Sequence, residues 1–285
     1  MKQLNKLVSY PTVHAILAAC AAALSAMYAY FRHVEPSQLV IERVEIPIKT
    51  LPPEIDGFTI AQLSDFHYLP HTKLPFIKRA IRMTNALQAD LIVLTGDYIS
   101  KNVPALFELL EALTALEAKH GVLAILGNHD TSYSKPHVKQ IMRYAFDHYG
   151  IPLLINEQVT LPNGLVIAGL DEIHSGRPDL THTLEGVPED APVVVLMHQP
   201  DVADFVARYP QAVLQLSGHT HGGQMRVKGI RPIYLPHFGQ KYIDGLYKIE
   251  HLWLYVNRGI GLARTGPLRI NCPPEITLLT LKREN

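Results

Sequence analysis

In the stretch "LSGHTHGGQM", Leu216 to Met225, His219 and His221 stand one residue apart among small residues that offer little apolar packing. Neutral imidazoles so placed are suited to holding a cation through a ring lone pair. Similar residue types follow other apolar runs along the chain. "AQLSDFH" ends in Asp65 and His67, "LIVLTGDY" carries Asp97, "VLAILGNHD" carries Asn128, His129 and Asp130, and "VVVLMHQP" carries His198. Imidazole, carboxylate and amide donors thus recur at the ends of five apolar segments. The two cysteines, Cys20 and Cys272, form no zinc-type spacing, so a metal here must be held by histidine, carboxylate or amide. Such a nitrogen and oxygen set suits Mn, Fe, Zn or Co.

The segments that must position these residues read as strands alternating with helices. Strands are expected at Leu39–Ile46, Phe58–Asp65, Leu91–Gly96 and Val122–Gly127, with helices over Leu74–Leu87, Ala105–Lys119 and Val138–Tyr149. The second half tips towards strand, at Leu165–Gly169, Val193–Met197, Ala212–Leu216, Leu252–Val256 and Ile276–Leu281, with one helix near Val202–Tyr209. Apolar strands with intervening helices imply an α/β fold whose sheet is covered on both faces. In such folds sites form beyond the carboxyl ends of strands, where residues distant in sequence converge. Alternate residues of an extended segment point to opposite sides, so His219 and His221 could serve two ions flanking one turn.

The set Asp65-x-His67, Gly96-Asp97, Gly127-Asn128-His129-Asp130, His198 and Gly218-His219-x-His221, in this order, resembles the calcineurin-like metallophosphoesterase family. The resemblance covers roughly Ile55 to Leu281. It implies two mixed β-sheets packed face to face and flanked by helices. It also implies a dinuclear centre, one ion held by Asp65, His67, Asp97 and His221 and the other by Asp97, Asn128, His198 and His219, with Asp97 bridging. His129 would then stabilise the phosphoryl group or protonate the leaving oxygen, oriented by Asp130. The cofactors implied are two divalent ions, Mn foremost among Mn, Fe, Zn and Co. The tail from Asn257 to Leu281 and the "SGHTHGGQ" turn look like the membrane-associated branch, which includes phosphodiesterases and a UDP-diacylglucosamine pyrophosphatase of lipid A synthesis. Ser100 departs from the pattern, since many members carry a carboxylate or amide there.

Lys plus Arg and Asp plus Glu number 26 each, so no global positive field points to nucleic acid, and none is expected as a partner. From Val13 to Phe31 the chain carries no charged residue, which is close to the roughly 20 residues that cross a bilayer as a helix. The expected organisation is an N-terminal tail at 1–12, a transmembrane anchor at 13–31, a linker at 32–38 and the catalytic domain at 39–285. A cleaved signal peptide ending near Ala26, a lipoprotein signal at "LAAC" and a buried core helix are the competing accounts of the apolar run. Lys2 and Lys6 favour a cytoplasmic N-terminus, and with it a domain outside the cytoplasm for this single-pass membrane protein, while Arg32, Arg43 and Lys49 on the other flank leave the opposite orientation open. The function expected is hydrolysis of a phosphodiester or pyrophosphate, with an amphipathic substrate such as UDP-diacylglucosamine in view. A catalytically silent scaffold for protein partners, or a hydrolase of soluble nucleotides or phosphoproteins, is the alternative. Arg258, Arg264, His71, His174 and the segment Arg231–Tyr242 are further candidates for phosphate, substrate or membrane contact.

Overall fold

Short runs such as "LIVL" and "VVVL" are apolar at every position, which suits strands buried on both faces. In the computed structural model, which describes residues 10–100, 103–131, 137–232, 234–263 and 266–284, these runs sit centrally in two sheets. Residues 1–9 of the expected tail and Arg264 lie outside the described residues. The strands are β1 (Val40–Ile48), β2 (Thr59–Leu63), β3 (Leu91–Leu94), β4 (Val122–Ala124), β5 (Glu157–Thr160), β6 (Val166–Gly169), β7 (Val193–Leu196), β8 (Ala212–Ser217), β9 (Gly245–Ile249), β10 (Leu252–Val256) and β11 (Glu275–Arg283). The helices are α1 (Tyr10–Ala29), α2 (Leu74–Asn85), α3 (Val103–Leu113), α4 (Asn128–Thr131), α5 (Val138–His148), α6 (Leu180–Thr183) and α7 (Ala203–Val206).

One sheet has the order β1-β11-β2-β3-β4, the other β5-β6-β7-β8-β10-β9. Both are mixed: β11 runs antiparallel to β2, while β2, β3 and β4 are parallel. In the second sheet β6, β7, β8 and β10 are parallel, and β5 and β9 run antiparallel at its edges. The period-two alternation of strand side chains builds three apolar layers from these runs. Leu91 and Val93 of β3 face Val194 and Leu196 of β7 across the inter-sheet core. Ile92 and Leu94 point the other way, beneath α2, α3 and α5. Val193 and Val195 turn outward beneath α6 and α7. The chain is therefore an α/β sandwich of two mixed sheets flanked by helices.

Three expectations change in detail. The helix expected over Ala105–Lys119 ends at Leu113, because the Asn85 side chain donates to Ala115 O (2.8 Å) and accepts from Glu117 N (3.1 Å), taking over backbone groups that a longer helix would use. The helix near Val202–Tyr209 is a single turn. Strands β5 and β9 were not expected: they are edge strands with partly exposed, mixed-polarity sequences, which carry a weak periodic signal.

The apolar N-terminal segment projects from the sandwich. Its stretch Val13–Ser37 is long and apolar enough to cross a membrane by length and composition. Leu17, Leu24 and Tyr28 are 61%, 60% and 57% exposed, which excludes a buried core helix. Over 32–38 the chain continues in helical turns and bonds to the sandwich. Glu35 is buried and accepts from Cys272 N (2.7 Å), Arg79 donates to Ser37 O (3.0 Å), and Arg269 N donates to Phe31 O (3.1 Å).

Leu214 is fully buried between the sheets. Leu214→Ala is expected to cost about 2–5 kcal/mol through lost burial and a residual cavity, read as a lower urea midpoint by circular dichroism.

Candidate metal centre

Parallel strands end at a common edge, so the turns after β2, β3 and β4 emerge beside one another and meet those after β7 and β8. Hydrogen bonds across the sandwich close this end: Gln62 Nε2 donates to Ser217 O (2.9 Å), and the His198 Nδ1–H to Thr95 O (2.6 Å). The turns are tight enough that Asp65, His67, Asp97, His219 and His221 all have positive φ, between 41° and 74°. Non-glycine residues rarely adopt this conformation, and such clusters mark sites where surrounding structure imposes it.

The side chains converge. His67 Nε2 lies 3.0 Å from His221 Nε2, and His221 Nε2 lies 3.2 Å from Asp65 Oδ1. Asp97 Oδ2 is 3.4 Å from His67 Nε2 and 3.2 Å from His198 Nε2, so one oxygen faces both histidine clusters. The ligand atoms of Asp65, His67 and His221 form one compact group, and those of Asp97, His198 and His219 another. Two imidazole Nε2 atoms so close in a buried site must share a proton or face a cation. The outer nitrogens of two rings are also committed: His198 through Nδ1 to Thr95 O, and His219 through Nε2 to His237 O (2.8 Å). Each then directs its other ring nitrogen inward, the orientation a metal ligand needs once that nitrogen is free of a proton. The donor set and its orientation fit divalent ions.

Electrostatics agrees. Burial pushes His67 down to about 3 against the pull of Asp97, and burial with the neighbouring His198 pushes His219 down to about 3, so both rings are neutral. Burial works against charge on His198, yet Asp97 and Asp65 overcome it and raise the ring to about 10. Burial likewise opposes ionisation of Asp65 and Asp97, but His221 and His198 hold the former, and His198 and His129 the latter, below the usual carboxylate range. The carboxylates thus retain a proton on His198 in the place of a stronger cation. A divalent ion competes with that proton.

Asn128 and His129 open α4 and line a cavity of about 430 Å³ with His67, Asp97, His219 and His221. His129 is half-buried, its ring edge-on to His67 at 4.8 Å, and its backbone N–H donates to Asp97 Oδ1 (2.8 Å). Asp130 stands elsewhere than expected. Instead of orienting the His129 ring, its buried carboxylate accepts the N–H groups of Asp97, Tyr98 and Gly127, each at 2.8 Å, and so joins the two turns. Burial and the charge of Asp97 raise it to about 8 against two of those donors, Gly127 and Tyr98.

Close backbone approach explains the small residues. A Cβ on Gly127 would lie 2.2 Å from Asp97 Oδ1, and one on Gly218 2.2 Å from Asp65 Oδ2. Behind Asp65, Gly261 N donates to Asp65 O (2.7 Å). Its loop is fastened by Arg269, fully buried, whose guanidinium donates to the carbonyls of Arg258 (3.0 Å), Gly259 (3.0 Å), Gly261 (2.6 Å) and Cys272 (2.9 Å).

His174, Gln224, Tyr234 and His237 also line the cavity. His174 was a candidate for substrate contact; it follows β6, and the rule applied to the other strand ends extends to it. Tyr234 and His237 belong to the candidate segment Arg231–Tyr242, while Gln224, which follows the His219–His221 turn, was not singled out. Arg258 is instead committed to Glu42 and Glu275, at 2.5 and 2.6 Å. His71 lines a separate cavity. Ser100 is buried, its hydroxyl donating to His67 O (3.4 Å).

Residues 58–223 match the calcineurin-like phosphoesterase family, and the chain belongs to it. It is 36% identical to the uncharacterized metallophosphoesterase YkuE of Bacillus subtilis (strain 168), over the whole of both chains. It is 30% identical to the phosphodiesterase YaeI of Escherichia coli (strain K12), over 91% of this chain and 94% of that protein. It is 25% identical to the UDP-2,3-diacylglucosamine pyrophosphatase LpxG of Chlamydia muridarum (strain MoPn / Nigg), over 92% of this chain and 95% of that protein. The chain is accordingly a phosphoester hydrolase of the type that works with two divalent ions.

Gly127→Ala is expected to keep the overall secondary structure by circular dichroism but to lower bound metal, measured by elemental analysis, at least severalfold, because the new methyl group would lie 2.2 Å from Asp97 Oδ1 and 2.4 Å from Asp97 N and so displaces both the carboxylate and its turn.

Proposed function

We propose that this chain is a membrane-anchored dinuclear hydrolase of phosphodiester or pyrophosphate bonds. The supporting observation is the single Asp97 oxygen that faces both histidine clusters. Asp65, His67 and His221 would hold one ion, Asn128, His198 and His219 the second, and Asp97 would contribute to both. Manganese is the preferred ion, with Fe, Zn and Co the competitors. When bound, the ions supply Lewis-acid charge for the phosphoryl oxygens and water of low pKa as nucleophile.

The chain's own residues do the rest. Asp97 Oδ1 pins the backbone of His129, holding its ring at the cavity beside His67. From there a ring N–H donates its proton to the leaving oxygen, making His129 the general acid. Asp130 fixes the turn that carries His129 through the backbone of Gly127, so it acts as a positioning residue.

The stretch Val13–Ser37, whose apolar part is exposed, supports a single membrane pass, and an anchored domain suits an amphipathic substrate. UDP-diacylglucosamine, the compound in the name of one relative, is the first to test. Its hydrolysis would require the domain to face the cytoplasm, whereas Lys2 and Lys6 favour the outside.

Purified protein supplied with Mn is expected to hydrolyse bis(p-nitrophenyl) phosphate, and inactivity with Mn, Co, Zn and Fe alike would overturn the proposal. His129→Ala should retain both ions by elemental analysis and lose about 10²- to 10⁴-fold in kcat. Asp97→Ala should lose bound metal as well as turnover. Carbonate washing of membranes from expressing cells should leave the full chain in the pellet; release into the supernatant would remove the anchor.

A further inference from the structure

We propose that a cavity at the foot of the anchor, separate from the metal centre, binds the phosphate of an anionic membrane lipid. The cavity, about 220 Å³, lies between the end of the apolar helix and the start of α2. Its wall carries Arg32, His33, His71 and Lys73, and no carboxylate. Among the described residues, neither Arg32 nor Lys73 has an ion-pair partner. Thr72 also lines the cavity: it is 5% exposed, and its hydroxyl has no hydrogen-bond partner. A buried hydroxyl is costly unless satisfied, and a phosphate oxygen is an acceptor for it. The first turn of α2 opens beside Lys73 without a side-chain cap, adding its positive end to the same region.

Position selects a lipid over a free anion. Arg32 and His33 directly follow the uncharged run that ends at Phe31, at the level where basic side chains meet headgroups. Phe76, Ile260 and Leu262 supply an apolar portion of the wall, which a free phosphate would not need. Leu262 lines this cavity while its neighbour Ala263 lines the metal cavity, so a bound lipid would sit against the other side of the loop that borders the catalytic site. The proposal rests on the membrane pass, which the carbonate wash tests separately.

The test uses the full chain in non-ionic detergent, titrated by calorimetry with dihexanoyl-phosphatidylglycerol, dihexanoyl-phosphatidylcholine or inorganic phosphate. Saturable binding of phosphatidylglycerol at least tenfold tighter than of either other probe is expected. The pair Arg32→Glu and Lys73→Glu should weaken it at least tenfold while hydrolysis of bis(p-nitrophenyl) phosphate stays at the parent rate. Thr72→Val, a change of similar shape, should weaken it severalfold. Equal binding of phosphatidylcholine, equal binding of inorganic phosphate, or undiminished binding by the charge-reversed protein would overturn the proposal. If the chain stays in washed membranes while lipid binding fails, the pocket is wrong and the anchor stands. Release from the membranes removes both.

Discussion

A carboxylate taken out of water needs positive charge close by, and Asp97 meets that need from two directions at once. Burial alone would drive Asp65 and Asp97 towards their neutral acids, yet the surrounding imidazoles keep both ionised. Two neutral rings and one protonated ring share the space between the carboxylates. The centre is therefore organised around negative charge before any metal arrives, and its specificity for cations follows from that excess. Ions introduced into such a site supply what burial has removed.

The sandwich makes this concentration of charge affordable. Three apolar layers hold the two sheets and their helices, while polar cross-links such as Gln62 to Ser217 and His198 to Thr95 join the sheets at the end where the ligands gather. At that end the backbone itself is constrained, with positive φ at five of the residues that approach the centre. Asp130 and Arg269 work through opposite hydrogen-bonding roles towards the same result. The carboxyl group of Asp130 collects N–H groups and the guanidinium collects carbonyls, so each fixes turns that no regular strand could hold.

Much of this was legible in the sequence because the site is built from local repeats of one pattern, an apolar strand followed by a ligand. Asp65, His67, Asp97, Asn128, His198, His219 and His221 all follow it, and the structure brings their turns together. The limits have physical causes. A side chain whose partner is the backbone of a distant turn carries no sequence signature, so Asp130 was assigned to its neighbour His129 instead of to Asp97, Tyr98 and Gly127. Arg269 was invisible for the same reason. Arg258 looked available for phosphate, but an arginine's pairing with Glu42 and Glu275 depends on the long-range joining of β1 and β11. Edge strands β5 and β9 escaped notice because half-exposed faces dilute the alternation that central strands display.

Arg269 has two ends with different attachments. Its backbone N–H holds the carbonyl of Phe31, at the foot of the apolar helix, while its guanidinium grips the loop that backs Asp65. The end of the apolar helix and the loop behind Asp65 are thus tied to one another by the backbone and the side chain of a single residue, so a displacement at either attachment is felt at the other.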